Sequence, residues 1–271
     1  SVFERARQNI FNTKLFNEIT IAIIKSGSNG NIIVIKVKER WYFWPIPIFE
    51  LADRNINEWI QERGADLSRI NIGIDFQEKN FRGRNEQLRF KVQYGFTQKY
   101  EGFYEIPYID KKRKTGINFS ISYSTNKQVA YVTQANKLIY HEDDAITRTR
   151  FYTGVGFTRR NNLYLTQSLN FKYHSRWISD TLVSLNPNYF ETNQNKQHFF
   201  DFLYTIIYDK RDFKFYAIKG HYTSLQLQQS GLGVFSDLTL FSTSISHGQH
   251  IALSEKLSFG NLSKIKLSLP R

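Results

Sequence analysis

The 271-residue sequence contains no cysteine and no methionine. The first absence excludes a disulfide framework, thiolate catalysis and cysteine-based zinc sites. The second leaves no initiator residue, so Ser1 is expected to be a processed or truncated end, with no signal peptide left to read. No apolar run approaches the ~18 residues of a membrane-spanning helix, and the mean hydropathy is −0.47. A transmembrane β-barrel stays open, because alternating strands average out as hydrophilic. His-Glu-x-x-His, Gly-x-Ser-x-Gly, P-loop and paired-glycine nucleotide signatures are all missing. Neither an enzyme activity nor a cofactor is therefore expected.

What is present is aromatic and basic. Hydrophobic residues make up 41%, with 23 Phe and 16 Tyr, enough to fold and so to argue against a disordered chain. Lys and Arg total 37 against 24 Asp and Glu, a net charge of +13. Such a balance points first to nucleic acid or an anionic membrane surface. The basic residues are scattered along alternating segments, with no cluster on a helix or stacking platform, so nucleic acid is not an expected partner. The length suits one large domain, or a small one followed by a large one.

Residues 1–18 carry the one amphipathic helix pattern, with Phe3, Ala6, Ile10 and Leu15 near helical spacing. Asn12 and Thr13 are expected to interrupt it before a short second turn. Apolar runs at 19–24 and 32–37 flank a turn over Lys25–Gly30 and predict a hairpin covered by the helix. The segment Trp41–Phe49 is aromatic and holds Pro45 and Pro47, so it reads as an edge strand, a distorted strand or a linker.

From Ile70 the period is two. Ile70, Ile72, Ile74 and Phe76 alternate with polar residues; so do Leu88–Phe96, Ile117–Tyr123, Leu163–Tyr173 (with Gln167 as the exception) and Ile265–Leu269. Turns are predicted at 80–87, 110–114, 160–162 and 209–220, and longer loops at 52–68 and 179–197. About ten antiparallel up-and-down strands follow residue 40. A soluble β-sandwich or lipocalin-like barrel also alternates. Strand length, Arg, Lys, Asn and Gln deep inside strands, and aromatics at Phe103/Tyr104/Tyr108, Phe151/Tyr152 and Phe213/Phe215/Tyr216, read as interfacial girdles, favour a transmembrane barrel.

The remaining polar clusters read as structural. His247 and His250 are three apart, on opposite faces of a strand, which does not suit a shared metal. The acidic group at 141–144 reads as the wet tip of a long hairpin, with calcium as the lesser alternative. Lys111–Lys114 reads as a solvated turn or an anchor to anionic head groups.

Specific motifs add a resemblance. Arg-Ala-Arg-Gln-Asn-Ile-Phe-Asn-Thr-Lys-Leu-Phe-Asn-Glu-Ile-Thr over 5–20 resembles a POTRA helix running into its second strand, with Asn12, Thr13, Leu15 and Phe16 as the match. The strand ending at Val37–Arg40 resembles the last POTRA strand. Residues 80–88, with Asn80 and Gly83, resemble the turn between the second and third barrel strands of the Omp85 superfamily (BamA/TamA-like and surface-antigen proteins). Asp209, Arg211, Asp212 and Gly220 resemble another turn of that family, with Ala217 where proline is usual. Residues 39–49 resemble the form found in Bacteroidota-type members. The Arg-Gly-Phe/Tyr motif of the family's lumenal loop is absent.

The resemblance implies a partial POTRA-like periplasmic domain at 1–40 and, over 41–271, the N-terminal part of an outer-membrane barrel, about 10–11 of sixteen strands. It implies outer-membrane protein assembly or insertion, or polypeptide translocation. The expected partners are outer-membrane lipid, an unfolded β-barrel or secreted client, and accessory lipoproteins. In the family the first barrel strand lies at a seam, which here would fall on Trp41, Phe43, Pro45, Ile46, Pro47 and Phe49. An aromatic membrane belt is the alternative for the same residues. Two prolines weaken the strand's ladder, so an incoming client strand has an edge to pair with. Asn80, Gly83, Asp209, Arg211, Asp212 and Gly220 are expected to form turns. A passive pore, a structural or adhesive barrel, and a soluble β protein binding an anionic partner are the alternative functions.

Overall fold

A computed structural model describes residues 2–25, 30–53, 55–190, 193–214, 216–254 and 257–270. Most of the turn expected at 25–30, and Phe215, lie outside the described residues. Among the described residues no helix is long and apolar enough to cross a membrane.

The N-terminal α+β segment is α1 (Val2–Phe11) followed by the hairpin β1 (Phe16–Lys25) and β2 (Asn31–Glu39). The second helical turn expected after Asn12 does not form. Thr13 Oγ1 donates to the Ile10 carbonyl at 2.6 Å, Lys14 takes φ +67°, and the chain enters β1 three residues earlier than the apolar run suggests. The helix also covers less than expected. Ten helical residues span ~15 Å whereas the strands span ~30 Å. Ile23, Ile24, Ile32, Ile33 and Ile35 are accordingly exposed, while Ile19, nearer the helix, is buried.

The remaining strands are β3 (Phe43–Leu51), β4 (Ile70–Phe81), β5 (Glu86–Gly95), β6 (Gln98–Ile106), β7 (Thr115–Asn126), β8 (Gln128–Gln134), β9 (Lys137–Glu142), β10 (Arg148–Arg160), β11 (Leu165–Ile178), β12 (Lys196–Asp209), β13 (Gly220–Leu232), β14 (Phe235–Ala252) and β15 (Ser258–Pro270). Eleven of them form one antiparallel sheet in chain order from β3 to β15, with β7 paired directly to β10. β8 and β9 leave the sheet as a separate hairpin. The sheet is open: among the described residues β3 and β15 do not pair with each other.

The two-residue rhythm sorts side chains onto unlike faces, and the apolar face is the open one. On β7, Ile121 is 52% exposed and Ser122 4%. Ile72, Phe90, Phe119, Phe241, Ile245 and Ile265 stand on the open face, whereas Asp75, Gln93, Ser124, Asp201, Ser224 and Ser244 crowd the sheltered one. That is the reverse of a soluble sandwich, whose apolar faces meet in a core.

Strand direction puts 52–69, 127–147 and 179–195 at one end of the sheet, and 82–85, 107–114, 161–164, 210–219 and 253–257 at the other. The long connections are not plain loops as expected. They contain a π-helical turn (Glu58–Glu62), a 3₁₀ turn (Leu67–Arg69) and α2 (Asp180–Leu185), which is capped by Ser179. Leu182 of α2 packs with Val129, Ile178 and Phe190 into a small core beneath Tyr131, Val183 and Tyr189. The acidic group at 141–144 lies at the base of the β8–β9 hairpin, not its tip; the tip is Ala135–Asn136, both at positive φ. The expected girdles are only partly formed. Phe151 and Tyr152 sit inside β10, and Tyr152 points to the sheltered face across from Ser122.

Candidate functional site

Among the described residues β3 has a sheet neighbour on one side only. Its nine residues pair with β4 without a break, Phe43 opposite Glu78 through Leu51 opposite Ile70. Proline has no N–H to give to a ladder. An unbroken ladder therefore requires Trp44, Ile46 and Ile48 to make the hydrogen-bonded pairs with β4, because those pairs alternate along a strand. The backbone groups of Pro45 and Pro47 then face the free edge. That edge offers N–H groups at Phe43, Phe49 and Leu51 and, between them, only carbonyl acceptors.

The expected seam residues divide between faces. Phe43, Pro45, Pro47 and Phe49 share the apolar side with Phe76 and Ile74, and Phe43 stacks on Phe76 at 6.2 Å. Ile46 lies on the sheltered side opposite Asp75, with Trp44 and Ile48 beside it. Trp41 precedes the strand, is exposed, and accepts a hydrogen bond from Trp44 Nε1 at 3.1 Å through its carbonyl.

The entrance to β3 is tied to the N-terminal segment. The Arg40 N–H donates to the Leu15 carbonyl at 3.0 Å and its Nε to the Phe16 carbonyl at 3.0 Å. The Tyr42 hydroxyl donates to the Leu15 carbonyl at 2.9 Å. Helix α1 also rests on the 210–219 turn: Phe11 meets Phe213 edge-on at 6.1 Å, and Asn12 Nδ2 donates to the Asp212 carbonyl at 3.2 Å.

The turn residues act locally. Asn80 Oδ1 accepts from the Asn85 N–H at 2.7 Å, and Gly83 takes φ +67° at the apex. Arg211 donates from Nε and Nη2 to the two Asp209 carboxylate oxygens, both at 2.8 Å. One oxygen of Asp212 accepts from the N–H groups of Phe213, Ile218 and Lys219. Gly220 has φ +107°, and a Cβ there would lie 2.3 Å from the Lys210 carbonyl oxygen. The Lys111–Lys114 run follows Asp110, whose carboxylate accepts from the N–H groups of Thr115 and Lys114; these bonds hold it below the usual carboxylate range.

Comparison with known proteins decides the family. The Omp85 superfamily domain matches residues 80–270. The chain belongs to the Omp85 superfamily. A crystal structure of BamA from Haemophilus ducreyi lacking POTRA domains 1–3 shares the fold, with a TM-score of 0.54 at 12% identity. The match covers 100% of this chain and 50% of that one, so the chain spans half the length of the BamA structure. No curated protein matches it. Omp85 proteins are non-catalytic factors in outer-membrane protein biogenesis, which sets this chain in an outer-membrane and periplasmic context.

In this Omp85 chain the polar face carries ion pairs suited to a wet wall, such as Arg89–Asp75 at 2.6 Å. His247 faces the apolar side and contacts Thr223 Oγ1 at 2.9 Å. His250 faces the other side, opposite Gly220. Among the described residues no group of three His, Cys, Asp or Glu is placed to hold a metal ion.

Sequence reasoning missed one cluster. Arg69 lies between the rings of Tyr140 (4.5 Å) and Phe96 (5.0 Å), grips Asp53 with Nε and Nη2, and donates Nη1 to Gln128 at 2.7 Å. Burial opposes its charge, and the Asp53 carboxylate more than offsets that, raising its pKa. The cluster ties 52–69 to the β8–β9 hairpin. No local sequence signal announces it, since its partners are 16 and 59 residues away.

Proposed function

We propose that this chain is part of an outer-membrane assembly or translocation protein that receives a client strand on the free edge of β3. Residues 1–40 are a partial POTRA-like periplasmic unit, and 41–271 are the N-terminal part of a transmembrane barrel whose apolar face meets lipid. The long connections then lie outside the cell and the short turns in the periplasm. An unfolded β-barrel or secreted polypeptide is the client; accessory lipoproteins act with it on the periplasmic side.

One observation carries this reading: β3 is zipped to β4 along its whole length, while its outer edge has lost two donors at adjacent pairing positions. A complete edge invites permanent closure or aggregation. An edge that mainly accepts can pair with an incoming strand and release it. The work is strand exchange, with no covalent step.

The test is Pro45→Val with Pro47→Val in the full-length protein, which returns two N–H groups to the edge. At about 0.5–1.5 kcal/mol per hydrogen bond, client insertion into vesicles is expected to slow on the order of 10-fold. Heat-modifiable migration on gels checks that the variant still folds. Insertion at the parent rate by a folded variant leaves a passive or structural barrel as the better reading.

A further inference from the structure

We propose that Arg148, Arg150 and Arg176 form a binding site for a phosphate-class oxyanion on the polar face, near the end that carries the long connections. This inference does not depend on the strand-exchange reading, because it concerns strands far from β3.

All three arginines project from the same face. Arg150 and Arg176 are directly opposite across the β10–β11 pair, and Arg148 is two residues from Arg150. Cross-strand neighbours at this spacing have Cβ atoms ~5 Å apart, and like charges so placed repel. The row continues through Ser124, opposite Arg150, to Lys99, opposite Ser124.

Among the described residues no carboxylate forms an ion pair with any of the three. Arg150 has no hydrogen bond or ion pair among the described residues. Arg176 donates Nη1 to Gln197 Oε1 at 3.1 Å and lies 4.8 Å over the Phe199 ring. Arg148 donates to Tyr189 Oη at 3.3 Å and Asn126 Oδ1 at 3.0 Å, and its Nε is buried with no partner. All of these partners are neutral. The neighbouring carboxylates are engaged elsewhere: Glu101 with Lys99 and the Tyr152 hydroxyl, Asp201 with Gln228 and Ser230. A recess of about 260 Å³ opens here, lined by Lys99, Ser122, Ser124, Arg150, His174 and Arg176.

The chemistry selects the ligand. Arg150 and Arg176 present planar guanidinium forks that pair bidentately with oxyanions, and Arg148 adds a third charge. A single carboxylate brings one charge and two oxygens, too little for two forks and three charges. A phosphoryl group brings nearly two charges and three terminal oxygens. It would lift the Arg150–Arg176 repulsion at the recess those two residues line, with Arg148 as a third positive charge beside it. Free phosphate and the phosphoryl head of a surface glycolipid supply the same chemistry.

The experiment uses the full-length protein in detergent micelles, titrated with pyrophosphate in a calorimeter, beside vesicles containing lipid A and a polyglutamate peptide. The comparison protein carries Arg150→Gln and Arg176→Gln. The parent is expected to bind pyrophosphate and melt at a higher temperature in its presence. At about tenfold per charged hydrogen-bonding partner, the double variant is expected to bind on the order of 100-fold more weakly. Without ligand the variant is expected to melt no lower than the parent, because it has lost the opposed charges. Binding confined to lipid A vesicles, and lost in the variant, supports the site with lipid as the source of the phosphoryl group. Equal binding by both proteins, no binding of either phosphate form by the parent, or tighter binding of polyglutamate than pyrophosphate overturns it.

Discussion

Arg69 connects two distant stretches of chain through one buried guanidinium. Its side chain is 4% exposed and that of Asp53 1%, so removing Arg69 leaves the Asp53 carboxylate without solvent and with only Arg63, 3.9 Å away, as a counter-charge. Arg69→Gln is expected to destabilise the protein by about 3–5 kcal/mol, read as a lower urea midpoint in micelles. Adding Asp53→Asn is expected to recover part of that loss, since the poorly paired buried carboxylate is then gone. What could be read from sequence at this scale follows the distance over which a side chain acts. Asn80, Gly83, Asp212 and Gly220 shape backbone within a few residues of themselves, and their turns are visible in local chemistry. Arg69 works across 59 residues and two aromatic rings, and nothing around Ser68 or Ile70 marks it.

Strands are the element the sequence shows best. Alternation over 70–76, 88–96 and 117–124 falls inside β4, β5 and β7, or within one residue of their ends. The period also carries the face of every residue, and so the division of the β3 set into Phe43, Pro45, Pro47 and Phe49 on one side and Ile46 on the other. It carries no information about which strands are neighbours. The departure of β8 and β9 from the sheet is therefore invisible, as is the pairing of β7 with β10. Short α2 was hidden because six residues show no helical period; its place is set by tertiary contacts of Leu182 with Val129, Ile178 and Phe190. Leu182→Ala is expected to cost about 2–5 kcal/mol, confined to that cluster. Hydrogen exchange is expected to speed up in β8, β9 and α2 while β12 and β13 keep their protection.

At the scale of the molecule, the decisive property is which face is open. Ile245 stands on the apolar side and Gln226 on the polar side, both exposed and both well inside their strands. If the apolar side meets lipid, Ile245→Lys is expected to cost about 2–4 kcal/mol near the bilayer midplane, whereas Gln226→Lys is tolerated. Folding yields of the two variants into vesicles of one composition measure the difference, and equal yields would count against a lipid-facing wall. The contact between Asn12 and Asp212 bears on the order of events, because its partners are 200 residues apart in the chain. The seat for α1 thus comes late in the chain, 200 residues after the helix it supports. Until then α1 has only its own hairpin to lean on, and most isoleucines of that hairpin stay exposed in the finished fold as well. An escort that meets this hairpin before the downstream Phe213 ring arrives finds the same greasy face that the finished fold still shows.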